Sequence, residues 1–259
     1  MAKKRKRTTK NAVRFFKKHK ELILDILRPT LIVVLVIVLL TNLIHFNSGK
    51  NYGIDVSEHQ GRISWSKVRN DEVSFAIIRA GVRGYKNGKI AEDKYFKRNM
   101  FNSKFQNIHR GVYFYSQAVN KKEAIEEANW VLDKVGNAKL EYPIYIDVED
   151  TCTNGAGRAD GLSAKQRTEV VKAFCLTVEK AGYKAGIYSN AWFLKAKLNM
   201  SELSGYSVWL AEYVSGSEPV YWKNGYDLWQ YTSEGSVPGI NGNVDIDRYQ
   251  VPERCTARE

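Results

Sequence analysis

The stretch YPIYIDVED, residues 142–150, closes an apolar, β-branched run with Asp147, Glu149 and Asp150. In a strand, residues i and i+2 face the same way, so Asp147 and Glu149 point together and Val148 points away, with Cα atoms about 6–7 Å apart. Two carboxyls sharing one site resist ionising together. One of them is then expected to keep its proton near neutral pH, which is what a general acid requires. Taken alone, the pair could equally be solvated charges at the end of a strand, so the elements that position it have to decide.

Eight short apolar segments recur in the chain: YGIDVS from 52, FAIIRAG from 75, GVYFYSQA from 111, YPIYIDVE from 142, AGIYSN from 185, SVWLAEY from 207, DLWQYT from 227 and NVDIDRY from 243. Helix-like stretches lie between the earlier ones, at 120–136 and at 163–183, the second opened by Ser163 as N-cap. Strand alternating with helix predicts parallel βαβ units. The last three strands are joined by Gly-, Ser- and Pro-rich loops, so the expected fold is an α/β, TIM-like β/α barrel that is helix-poor at its end.

Function in such a barrel collects at the carboxyl ends of the strands. Polar and aromatic residues gather there in this sequence: Asp55 and Ser57, Tyr113 and Tyr115, Asp147 and Glu149, Tyr188 and Asn190, Trp209 with Ala211 and Tyr213, Trp229 and Tyr231, Asp245 and Asp247. An aromatic residue can simply fill a barrel. Four carboxylates, Asp55, Asp147, Glu149 and Asp245, converging on one mouth have no packing use.

Together, YGIDVSEHQGRISW, YIDVE, GIYSN, VWLAEY and LWQYTSEGSVPGINGNVDIDRY resemble the family 25 glycoside hydrolases, the lysozymes that cut peptidoglycan between N-acetylmuramic acid and N-acetylglucosamine; the likeness runs from Tyr52 to Tyr249. It implies a β/α barrel with five helices and three closing strands. It makes Glu149 the proton donor, with Asp147 beside it to raise that pKa and to orient or stabilise the reacting sugar. Asp55 and Asp245 are the other acidic members, and Tyr113, Tyr115, Tyr188, Trp209 and Trp229 are the sugar-binding aromatics. The family's closing motif often reads Val-Asp-x-Asn, whereas here Asp247 stands at the Asn position. The resemblance implies retention of configuration, with the substrate's acetamido group or an Asp as nucleophile. This chemistry requires no metal and no cofactor.

The formal charge of +12 suggests nucleic acid until it is located. Residues 1–28 hold eleven Lys or Arg against two acids, a net +9, which leaves +3 for the rest of the chain. No nucleic-acid partner is therefore expected. The sixteen residues Leu31–Phe46 contain no Asp, Glu, Lys or Arg. As a helix they would span about 24 Å, a workable anchor for a bilayer core of about 30 Å. The expected organisation is a basic cytoplasmic tail (1–28), a transmembrane anchor meeting the lipid bilayer (29–46), a short linker (47–51), the hydrolase barrel (52–252) and a tail (253–259). The positive-inside rule then puts the barrel outside a bacterial membrane. Secretion after signal cleavage is the rival, opposed by the long charged leader and the lack of a small-x-small site. The expected partner is the peptidoglycan glycan strand, bound by a monomer. Cys152, Cys175 and Cys255 fit no metal or disulfide framework, and Cys175 reads as a core residue. Two other functions stay open: a chitinase-like glycosidase, which would carry a longer acidic series before the Glu, and a tethered carbohydrate-binding protein without catalysis.

Overall fold

The computed structural model describes residues 51–151 and 157–250. The expected tail, the anchor and most of the linker lie outside the described residues, as do 253–259, Cys152 and Cys255. Among the described residues no helix is long and apolar enough to cross a membrane.

Among the described residues nine strands are formed: β1 Tyr52–Val56, β2 Phe75–Arg83, β3 Ile90–Glu92, β4 His109–Tyr115, β5 Ile144–Asp147, β6 Ala185–Asn190, β7 Ser207–Ala211, β8 Leu228–Gly235 and β9 Val244–Tyr249. Five α-helices occur among the described residues: α1 Trp65–Asn70, α2 Phe96–Phe105, α3 Lys121–Val135, α4 Ala164–Lys180 and α5 Ala191–Ala196. Pairing of β1 with both β2 and β9 closes eight of the strands into a barrel. The short β3, absent from the sequence expectation, pairs antiparallel to the extended end of β2 outside that ring.

Local sequence explains the helices. Ser163 and Gln166 form a reciprocal capping box at the start of α4, and Asn120 Oδ1 accepts from Glu123 N (3.0 Å) at the start of α3. One stripe of α3 (Ala124, Ala128, Val131, Val135) and one of α4 (Val171, Phe174, Cys175, Val178) is buried, at the spacing that lines one helix face. The apolar core between strands and helices includes these residues and Ile54, Ile78, Phe114 and Ile146. Cys175 is fully buried in it.

Alternate strand residues face inward, where Phe75, Ile77, Tyr145, Trp209 and Leu228 fill the barrel. Two glycines make room for this filling. A Cβ on Gly53 would lie 2.3 Å from the Phe75 ring, and one on Gly186 would lie 2.4 Å from that of Tyr145.

The end of the chain departs from the expected parallel pattern. β8 runs parallel to β7, but residues 236–243 contain no crossover helix, and so short a connection can only return the chain antiparallel. β9 is therefore antiparallel to both β8 and β1. Asp245 and Asp247 thus lie at and below the start of a descending strand, not at the carboxyl end of an ascending one.

Candidate active site

A cleft of about 480 Å³ opens at the carboxyl ends of the parallel strands. It is lined by Asp55, Asp147, Glu149 and Asp245, with Tyr113, Tyr115, Tyr188 and Trp209 among its walls and floor. Eight of the nine side chains named from sequence are thereby brought together. The ninth, Trp229, is not among them. It faces the outer layer, donates through Nε1 to the Glu212 carbonyl (2.8 Å) and lies under the Arg248 guanidinium (5.8 Å from the ring centre). Its neighbour Gln230 takes the inward position. The run Leu-Trp-Gln-Tyr is compatible with either parity; the aromatic weight of Trp229 and Tyr231 pointed to the wrong face, and the pairing of Leu228 with Trp209 settles it.

The acidic pair is held by the backbone on both flanks. Ser116 N donates to the Asp147 carbonyl (2.9 Å) and Val148 N to that of Tyr188 (3.1 Å), so the ladders of β4 and β6 fix the turn that presents Glu149. Ser189 Oγ donates to the Val148 carbonyl from below. Asp150, one residue on, is turned away to pair with Arg167 (3.2 Å).

Asp147 is almost wholly buried, and its Oδ1 accepts no hydrogen bond from the described residues. Burial, and then the charge of Glu149, push Asp147 well above the usual carboxylate range, while Arg79 acts the other way. Glu149 is raised by burial first, then by Asp150 and Asp245. The sequence expectation made Asp147 the charge that lifts Glu149. In the structure both carboxyls are raised, Asp147 partly by the charge of Glu149, while the neighbours whose charge raises Glu149 are Asp150 and Asp245. Asp55 and Asp247 are also raised well above their usual range and Asp245 is raised, in each case chiefly by burial.

Several residues of the site were missed from sequence. Arg79, on the inward face of β2, is a cation set among the carboxyls of the cleft. Its Nε donates to Asp93 Oδ2 (2.8 Å) and its Nη2 to Glu58 Oε1 (3.2 Å), while Asp93 also accepts from the amides of Glu58 (2.8 Å) and Tyr95 (2.9 Å). Its signal was an Arg inside an apolar strand, at a position with the parity of Ile77. Gln230 accepts from the hydroxyls of Tyr188 (2.9 Å) and Tyr213 (2.7 Å) and donates to Asp55 Oδ2 (2.7 Å). Trp209, expected to present a ring face, is 1% exposed. It packs on Tyr188 (4.4 Å), Tyr145 (5.2 Å) and Tyr113 (5.6 Å), and its Nε1 donates to Asp247 Oδ1 (2.7 Å). Glu212, next to β7, accepts from three consecutive amides, those of Val220 (2.5 Å), Tyr221 (2.7 Å) and Trp222 (3.1 Å), and so clasps the β7–β8 loop at the rim.

A closed barrel with a cleft of carboxyls and aromatic rings at its carboxyl end defines a glycosidase-like site. The chain matches the profile of glycosyl hydrolases family 25 over residues 54–240, and it belongs to that family of glycoside hydrolases. It is 32% identical over 212 residues to protein YegX of Escherichia coli O157:H7, covering 78% of this chain and 70% of that one. Lysozyme M1 of Streptomyces globisporus is 28% identical over 209 residues, 76% of this chain and 67% of its own. Among solved structures, the modular autolysin LytC from Streptococcus pneumoniae in complex with a synthetic peptidoglycan ligand superposes with a TM-score of 0.67 at 31% identity. That match covers 77% of this chain and 46% of LytC, so the chain spans about half of that protein.

Proposed function

We propose that the chain hydrolyses peptidoglycan at the β-1,4 bond between N-acetylmuramic acid and N-acetylglucosamine. The observation that carries this reading is the convergence of Asp55, Asp147, Glu149 and Asp245 in one tyrosine-walled cleft. The lysozymes and the peptidoglycan-bound autolysin among its relatives support the substrate class. Glu149 is the less buried member of the central pair and has its pKa raised, which suits it to protonate the leaving oxygen. Asp147, the deeper of the two, accepts from the sugar's acetamido N–H and so holds that group for attack of its carbonyl oxygen on the anomeric carbon. Asp55 and Asp245 supply the negative field for an oxocarbenium-like transition state. Tyr113, Tyr115 and Tyr188 form the wall against which sugar rings rest.

The test is mass spectrometry of fragments released from purified peptidoglycan. Reducing-end muramic acid is expected; reducing-end glucosamine would replace this reading with a glucosaminidase. The reading extends to location. The charge asymmetry of residues 1–28 and the uncharged Leu31–Phe46 support a membrane anchor with the barrel outside. The protein is then expected to stay with membranes through a high-salt wash, and recovery of a soluble fragment beginning near residue 48 would show cleavage instead.

A further inference from the structure

The polar side chains inside the barrel form one network whose donors can be assigned. Gln230 Oε1 is occupied by two tyrosine hydroxyls, so its amide nitrogen is the group that meets Asp55 Oδ2. An indole nitrogen can only donate, so Trp209 Nε1 gives its hydrogen to Asp247 Oδ1. Asp247 Oδ2 is left, buried and with no donor among the described residues.

The register shows what stands beside it. Asp55 lies opposite Asp245 across the β1–β9 ladder, and Asp247 lies opposite Gly53, which presents no side chain. Asp55 and Asp247 are thus diagonal neighbours on one face of the antiparallel pair, with Cα atoms about 7–8 Å apart. After burial, the charge of Asp247 is what pushes Asp55 up most. Both are buried, Asp247 completely, and among the described residues neither has an ion pair with Lys or Arg. Two neutral N–H donors cannot compensate two buried charges.

We propose that Asp55 and Asp247 share one proton and titrate as a single acid, and that Asp247 is a positioning residue that sets the charge Asp55 presents to the cleft. The consequence for catalysis rests on the function proposed above; the shared proton does not. The surroundings favour it. Asp245 on β9 adds like charge, and Asp147, Glu149, Arg79, Glu58 and His59 line the same cleft. The phenols facing the pair, Tyr113 on β4, Tyr145 on β5 and Tyr188 on β6, are pushed up by burial and stay neutral, as does Tyr142 below. Sharing a proton therefore holds the pair at one negative charge over the working range instead of two, the same charge an amide at 247 would leave.

The test is Asp247→Asn in the full chain, an isosteric change that supplies Asp55 with a donor. Infrared difference spectra at neutral pH are expected to show a protonated-carboxyl carbonyl band in the wild type that the variant lacks. Thermal unfolding against pH gives a second readout. Above about pH 4 an unfolded aspartic acid has released its proton. The folded pair retains one, so wild-type stability falls as pH rises from there toward the folded pKa. Asp247→Asn should flatten that fall, so that its midpoint gains on the wild type as pH rises. Should Asp247→Asn not fold, Asp55→Asn must give the same spectral loss and the same flattening. Spectra that keep the band, together with parallel stability curves, would overturn the shared proton. Failure of the muramidase reading would show separately, in the sugar at the fragments' reducing ends.

Discussion

The two halves of the barrel build their share of the cleft by different means. In the parallel half, Asp147 and Glu149 sit where a strand runs out, and neighbouring ladders hold the backbone that carries them. The chemistry there is presented by main-chain geometry, and the side chains are left free to react. In the closing half no helix follows β7 or β8 among the described residues, and β9 runs downward. Position is supplied instead by side chains bonding to side chains: tyrosines to Gln230, Gln230 to Asp55, Trp209 to Asp247. A backbone-held site tolerates isosteric change without moving, whereas a site held by side chains loses its shape when one member is removed.

The largest effect is expected in the parallel half. Glu149→Gln keeps the shape of the side chain and leaves its ladder-held backbone intact, so the unfolding midpoint should hardly change. Turnover should fall about 10²–10⁴-fold, because the amide has no proton to give. Near-wild-type turnover on peptidoglycan would remove Glu149 from the role.

Gln230→Leu breaks the closing half. It leaves Asp55 without its amide donor and both tyrosine hydroxyls without their acceptor, all in or beside a buried space. Chemical denaturation should report a loss of about 1–3 kcal/mol, and activity should drop as well but less than in Glu149→Gln. The contrast is the point of the test: one variant loses rate without stability, the other loses both. Equal stability of the two variants would erase the distinction between the halves.

A pH profile sharpens the comparison, because the charge that lifts Glu149 reaches it partly across the cleft from Asp245 on β9. Asp245→Asn removes a like charge, so the Glu149 pKa falls and the alkaline limb of turnover moves to lower pH, by about one unit or less. Asp147 is not among the groups that raise Glu149, so Asp147→Asn should slow turnover while leaving that limb in place. A limb that moved in Asp147→Asn and not in Asp245→Asn would return the lifting charge to Asp147.

The parallel half was also the legible half. Period-two alternation placed Asp147 with Glu149 and Tyr113 with Tyr115, and the capping residue Ser163 marked the start of α4, because each of these is decided within a few residues of chain. The closing half was not legible in the same way. The parity of LWQYT depends on which β7 residue each position meets, and the direction of β9 depends on loop 236–243 having no room for a crossover. Arg79 was passed over because its partners Glu58 and Asp93 stand 21 and 14 residues away. The greater depth of Asp147 was likewise out of reach, since spacing gives the proximity of two carboxyls but not which is more buried.

The smallest effect on turnover should come from Glu212, which touches the cleft only through a loop. Its two carboxylate oxygens accept three successive amides, from Val220, Tyr221 and Trp222. The same loop is tied down by Trp222 Nε1 to the Gly225 carbonyl (2.7 Å) and by Lys195 to the Tyr221 carbonyl. Tyr213, which reaches back to Gln230, starts that loop, and Tyr221 stands exposed further along it. Glu212→Gln retains one acceptor oxygen and sets an NH2 group against an amide N–H, so at least one of the three bonds is lost. The other ties remain, and the barrel strands are untouched. Amide exchange at 220–222 should therefore accelerate, with KM for glycan fragments rising while kcat stays close to the wild type. If exchange there stayed slow, the carboxylate would not be the clasp; if kcat fell with KM unchanged, the loop would belong to the chemistry and not to the rim.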